Sequence, residues 1–234
     1  MQIRILQHDH VKMMCKRDAA ARTIKLRLRR SQSGIRQSNV DDMPAFGTSQ
    51  NASMVNKDMR LEPRKYVVDA ALRDGASIRI RAISPDDQDR LHDHFRGLSQ
   101  QSIYFRFMGF KRDLSAEDLK WLTELDFDDH VGLAATLTEN GRERFIGVGR
   151  YLRGKDPLRA ELAFTVLDEY QGHGIGTILL EHLAIIARAG GIAELEANVL
   201  ADNHQMLEVL AHSGFKISHQ LDSGVVHLYY STAK

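Results

Sequence analysis

Ten residues, Asp168-Glu169-Tyr170-Gln171-Gly172-His173-Gly174-Ile175-Gly176-Thr177, restrict the folding of this chain more than any other segment. They join two stretches of different period. Before them, residues 159–167 alternate, with Leu162, Phe164 and Val166 on one face and Glu161, Ala163 and Thr165 on the other, which predicts a strand. After them, residues 174–189 form a long apolar stretch that stops at Gly190-Gly191, which predicts a helix with a glycine end. The alternating glycines let the backbone turn sharply between the two. The first amides of the helix have no intrahelical partner, and its dipole adds partial positive charge there. The expected product is a cluster of N–H donors suited to a pyrophosphate. A glycine-rich helix start without a ligand is the plainer alternative. Two common nucleotide motifs fail at named positions: Gly176 is followed by Thr177 without the Walker lysine, and Thr177 stands where a dinucleotide fold needs its third glycine.

The surrounding sequence reads as one mixed domain. Asp74-Gly75 is a turn, and Ile78, Ile80 and Ile83 mark a short strand. Ser84 is a predicted N-cap, with Asp87 in a capping-box position and Leu91, Phe95 and Leu98 as the buried face of the helix. Further helices are expected over about 100–107 and after Ser115. Strands over 131–138 and 145–152 flank the hairpin signal Asn140-Gly141. A strand over 194–200, a helix over 203–212 and strands over 215–218 and 225–230 complete the order.

Charge divides the chain. Residues 1–40 carry ten Lys/Arg against two Asp, whereas residues 71–234 carry eighteen basic and twenty-four acidic groups. Residues 1–70 are thus expected to be a basic, disordered N-terminal extension, with Ser, Gln, Asn, Asp and Gly dominating residues 31–57. A targeting peptide or a patch for RNA or anionic lipid is the sharper reading of that head. The acidic body, residues 71–234, is not expected to bind nucleic acid. No run of eighteen apolar residues and no secretory signal are found, so neither membrane spanning nor export is expected. The single cysteine, Cys15, excludes an intramolecular disulfide and a cysteine-based metal site, and points to a cytoplasmic protein. His92 and His94 do not share a helix face, and no metal is expected.

The segment Gln171-Gly172-His173-Gly174-Ile175-Gly176 resembles the Gln/Arg-x-x-Gly-x-Gly/Ala pyrophosphate loop of the GNAT N-acetyltransferase family. The strand before it, the helix after it and the series Asn203…Met206…Gly214-Phe215 are similar to the family in order and spacing. Leu72-Arg73-Asp74-Gly75, Ile78-Arg79-Ile80-Arg81, Leu98-Ser99…Ser102…Tyr104-Phe105-Arg106-Phe107 and Ala160-Glu161-Leu162-Ala163-Phe164-Thr165-Val166 resemble the catalytic domain of bacterial Pat-type protein lysine acetyltransferases. Some of that group carry a fused cyclic-nucleotide-binding domain. Seventy mostly polar residues are too few for one, so the catalytic module alone is expected.

The resemblance implies an α+β (mixed α/β) fold: a mostly antiparallel, splayed sheet of six to seven strands flanked by helices. It implies acetyl-CoA as cosubstrate and an amine acceptor, with a protein lysine first and a small-molecule amine second. A catalytically silent acyl-CoA sensor is the rival from another class. The cofactor would be held by the backbone of Phe164, Thr165 and Val166, by Gln171, Gly172, His173, Gly174, Ile175, Gly176 and Thr177, and by Asn203, which is also an ordinary helix N-cap. Glu161 is the implied general base, because a lysine ammonium with a pKa near 10.4 must lose a proton before it attacks. Its plainer reading is a strand carboxylate paired with Arg150. Asp168 and Glu169 are rival carboxylates, better placed for turn formation. Tyr104 and Arg106 are candidates to line the amine entrance. One departure stands out: Leu210 occupies the position of a tyrosine that protonates the leaving thiolate in many members, which leaves the acid unassigned. Oligomeric state is not indicated.

Overall fold

The computed structural model describes residues 61–211 and 215–232. Residues 1–60 of the predicted disordered extension, and the Gly214 of the terminal signature, lie outside the described residues; over 61–70 the chain is instead ordered, with a short 3-10 turn at Pro63–Lys65 and the start of the first strand.

Eight strands form one sheet: β1 (Val67–Ala71), β2 (Ser77–Ala82), β3 (His130–Glu139), β4 (Arg142–Arg153), β5 (Arg159–Val166), β6 (Glu194–Leu200), β7 (Ile217–Asp222) and β8 (Val225–Ser231). Their spatial order is β1-β2-β3-β4-β5-β6-β8-β7. Every neighbouring pair is antiparallel except β5 and β6. The mixed, mostly antiparallel sheet was expected; the count exceeds six to seven because β1 lies at the edge. Most of β1 falls inside the stretch assigned to the extension. Its register, Val67↔Arg81 to Ala71↔Ser77, ties it to β2. Val67 and Val68 stay exposed, so the strand shows none of the alternation by which a sequence reveals one.

The helices are α1 (Gln88–Arg96), α2 (Gln100–Phe107), α3 (Ala116–Thr123), α4 (Ile175–Ala189) and α5 (His204–Ala211). Capping chemistry fixes where they begin. Ser84–Asp87 and Ser115–Asp118 both close as capping boxes, and Ser99 Oγ accepts from Ser102 N at the start of α2. Asp87 does more than cap. It is 1% exposed and takes two bonds of 2.8 Å from Arg81, which also reaches Glu143 at 2.6 Å. That cluster locks β2, the start of α1 and β4 together.

Glycines set the distance between the sheet and α4. A Cβ on Gly147 would lie 2.7 Å from Ile175, and one on Gly149 would lie 3.0 Å from Leu183. These two β4 residues share a face, so α4 settles into the trough they leave. Ile175, Leu179 and Leu183 pack into it and are fully buried. Val148 and Arg150 point to the opposite face, where α1, α2 and α3 lie. The site is built where these two layers meet the diverging strands.

Candidate active site

The β4/β5 ladder runs seven residue pairs, from Arg153↔Ala160 to Gly147↔Val166. The β5/β6 ladder runs only three, Arg159–Glu161 against Glu194–Glu196. Past Glu161 the two strands part. Leu167 N donates to Ile146 O at 3.0 Å, so by strand alternation Thr165 and Ala163 also turn their main-chain groups toward β4. Phe164 and Val166 turn theirs toward the gap. Gln171 Nε2 already donates to the Val166 carbonyl at 3.2 Å. The Phe164 N–H and C=O and the Val166 N–H therefore face the opening. Thr165, expected to contribute backbone there, does not. Register with β4 decides this.

The loop after β5 supplies donors. Gly172 and Gly174 adopt φ of +79° and +94°, which L side chains rarely reach. A Cβ on Gly172 would meet nothing within 4 Å, so that side of the loop is open. The first helical bond of α4 runs from Ile178 N to Gly174 O at 3.1 Å. Among the described residues, the N–H groups of Gly174, Ile175, Gly176 and Thr177 donate to no protein acceptor. Four amides at the head of a 15-residue helix make a ready anion cradle.

The side chains of the loop have other tasks. Ile175 is buried and packs toward Gly147, so only its amide can serve a ligand. Gly176 is also structural: a Cβ there would lie 3.2 Å from Val209 of α5. Gln171 Nε2 also reaches Ser102 Oγ at 3.3 Å, and His173 Nδ1 lies 3.0 Å from Gln171 O. Asp168 accepts from Ser99 N, Ser99 Oγ and Ser102 Oγ at 2.9, 2.7 and 2.9 Å, pinning α2 to the turn. Glu169 pairs with Arg144 at 2.8 Å on the surface. Both rivals of Glu161 are thus structural. Asn203 Oδ1 accepts from Met206 N at 3.2 Å, as an N-cap should.

Arg73 belongs to this site and was missed as a site residue. Its N–H reaches His173 O at 3.5 Å, and its Nε lies 3.6 Å from where a Cβ of Gly174 would be. It makes no ion pair among the described residues, so a cation rests against the amide cradle. The signal was Leu72-Arg73-Asp74-Gly75, read only as a turn and a likeness.

Glu161 sits at the point where β5 leaves β6. It is half-buried, and burial raises its carboxyl to about 7, against the attraction of Arg106 and with a smaller push from Glu196. Glu196 is its cross-strand neighbour. The expected pairing with Arg150 is not found. The register sets Arg150 opposite Ala163 and Glu161 opposite Leu152. Arg150 instead contacts His130 Nε2 at 3.3 Å and Leu122 O at 3.4 Å.

Next along the same face, Thr165 Oγ1 is 2.9 Å from His94 Nε2, and His94 Nδ1 is 3.0 Å from Phe145 O. A carbonyl only accepts, so Nδ1 carries the proton and Thr165 donates to Nε2. Burial holds His94 at about 4, hence neutral. Leu210 is fully buried in the core. Among the described residues no three His, Cys, Asp or Glu side chains gather as a metal would require, and no helix is long and apolar enough to cross a membrane.

A split ladder beside a helix-head cradle fits the pantetheine amides and pyrophosphate of coenzyme A. The sequence profile of the acetyltransferase (GNAT) family matches residues 99–215, half of the chain. The chain belongs to the GNAT acetyltransferase family. An acetyltransferase of Pseudomonas aeruginosa is 30% identical over 166 residues, 71% of this chain and 88% of that protein. The acetyltransferase Pat of Mycolicibacterium smegmatis is 33% identical over 144 residues, 61% of this chain and 42% of its own length. The crystal structure of the GNAT domain of S. lividans PAT is 38% identical with a TM-score of 0.65, covering 70% of this chain and 96% of that one. This GNAT protein is an acetyltransferase that uses acetyl-CoA and acts on an amine acceptor.

Proposed function

We propose that this chain transfers the acetyl group of acetyl-CoA to lysine side chains of proteins, with Glu161 as general base. The carrying observation is Glu161 itself: a half-buried carboxyl titrating at about 7, set where the sheet opens. A base with that value is about half ionised at pH 7, more so above it, and takes a proton readily. The likeness to Pat-type lysine acetyltransferases supports the acceptor class.

When bound, acetyl-CoA supplies a thioester carbonyl carbon as electrophile and a thiolate as leaving group. The amides of Gly174, Ile175, Gly176 and Thr177 would hold the pyrophosphate, with Gly172 keeping the approach open and Gln171 and His173 shaping the turn. Arg73 adds positive charge at the same place. The Phe164 N–H and C=O and the Val166 N–H, turned to the gap, would pair with the amide-bearing arm and donate to the acyl oxygen. Asn203 keeps its side-chain NH2 available for that arm while its oxygen caps α5. Glu161 would take a proton from the lysine ammonium and leave a neutral amine able to attack. Leu210 is sealed in the core, so protonation of the thiolate is left to solvent. A thiol pKa of about 8.5 makes that departure undemanding.

The test is thiol release from acetyl-CoA in the presence of lysine-bearing proteins, polyamines or neither, with mass spectrometry of the acceptors. The proposal expects acceptor-dependent thiol release and acetyl-lysine on protein. Turnover confined to small amines would overturn the acceptor class, and tight acetyl-CoA binding without turnover would make the chain a sensor.

A further inference from the structure

Two arginines behind the sheet have no carboxylate in contact among the described residues. Arg150, 3% exposed, stands mid-strand in β4 on the face opposite α4. Its protein contacts are the neutral His130 ring at 3.3 Å and the Leu122 carbonyl at 3.4 Å. Arg106, in the last turn of α2, lines the same cavity. Neither has a carboxylate within 4.0 Å among the described residues. Burial disfavours each cation; Arg106 further destabilises the charge on Arg150, while Glu161, beyond contact distance, partly offsets the cost for Arg106. Burying a cation without compensation is strongly unfavourable, and two facing one cavity compound the cost. Arg81 shows what this chain does with a structural arginine: it surrounds the guanidinium with Asp87 and Glu143.

The cavity itself offers no anion. Its volume is about 40 Å3, and leucine and phenylalanine supply half of its lining residues. The two uncharged polar side chains that line it, His94 and Thr165, bond to each other, and His94 spends its proton on Phe145 O. No acidic side chain lines it. Ala163, opposite Arg150, lies between Glu161 and Thr165 on one strand face. One same-face step along a strand is roughly 7 Å, so an anion held here lies close to the proposed base.

We propose that this cavity is a subsite for a carboxylate carried by a substrate, received by Arg106 and Arg150. Its place beside Glu161 favours the acceptor as carrier: an amine with a carboxylate a short distance away, such as a lysine beside an acidic residue. A second source of the same chemistry is an acyl donor with a distal carboxylate. The proposal rests on the acetyl-transfer reading only for the direction from which substrate arrives.

The test measures binding, not turnover, by calorimetry on the full chain. In the acceptor arm, the CoA-saturated protein is titrated with acetyl-Glu-Lys-Glu-amide and acetyl-Gln-Lys-Gln-amide. In the donor arm, free protein is titrated with succinyl-CoA and acetyl-CoA. Each pair is compared in wild type, Arg150→Gln and Arg106→Gln. The proposal expects one carboxylate probe to bind at least about tenfold tighter than its neutral twin, and the preference to vanish in both variants. Preference in the acceptor arm assigns the carboxylate to the acceptor; preference in the donor arm assigns it to the acyl group. Arg106 is less deeply buried than Arg150, so its variant keeps the test decisive should Arg150→Gln fail to fold. No preference in either arm, or one that survives both substitutions, overturns the subsite. Failure of wild type to bind acetyl-CoA at all would instead strike the acetyl-transfer reading.

Discussion

Replacing Glu161 by Gln keeps the shape of the side chain and removes its basicity. The wild-type carboxyl titrates at about 7. Its basic form is present above that value and is lost as pH falls through it, so kcat/KM should rise about tenfold per pH unit below 7 and bend to a lower slope above. A lysine amine with a pKa near 10.4 is neutral in about one molecule in a thousand at pH 7.4. Without a base the variant depends on that fraction. General-base catalysis is worth about 10^2–10^4-fold, so Glu161→Gln should lose about that much at pH 7. The variant should regain about tenfold per pH unit up to pH 10, without an inflection near 7. Initial rates of thiol release across pH 6 to 10, with circular dichroism as a check on folding, measure all of this. Activity within about threefold of wild type, or an inflection near 7 that persists in the variant, would refute Glu161 as the base.

Three further expectations follow from the same structure. Arg73→Gln should weaken CoA binding about tenfold by calorimetry while leaving acetyl-pantetheine unaffected, because that analogue lacks the phosphates. Asp87→Ala strands a half-buried Arg81 and opens a capping box, and should cost about 3–5 kcal/mol in urea denaturation; a loss under about 1 kcal/mol would contradict the cluster. His94 titrates at about 4 in the folded chain, depressed chiefly by burial, so the unfolded chain takes up its proton first. Its contribution, about 3 kcal/mol, is complete above about pH 6.5 and is lost as pH falls toward 4. His130, at about 3, adds to the same trend. Stability measured between pH 7 and 4.5 should therefore fall in wild type, and His94→Gln should reduce the slope by about one proton.

What the sequence could and could not show follows from the physics of each element. Glu194–Leu200 alternates buried and half-buried positions, and its predicted bounds match the strand. The glycine turn was legible because positive φ and free amides depend on local chemistry. β1 was not, since an exposed edge strand has no apolar period and owes its form to β2. Thr165 was assigned to the cofactor by its place in the strand, yet backbone direction there is set by pairing with β4. Arg150 sits in the run Val148-Gly149-Arg150-Tyr151, where a charge reads as solvent-facing or as partner to Glu161. Its burial arises because Gly147 and Gly149 commit the other face to α4, which sends Arg150 beneath α1, α2 and α3.

The central claim is that the head of α4 and the parted strands hold coenzyme A. Amide chemical shifts of the labelled chain, titrated with CoA and separately with acetyl-pantetheine, test it directly. With CoA, the N–H resonances of Gly174, Ile175, Gly176 and Thr177 should move strongly downfield together with those of Phe164 and Val166; with acetyl-pantetheine, only the strand resonances should respond. Loop resonances that stay still under saturating CoA, with shifts clustered elsewhere, would contradict the account.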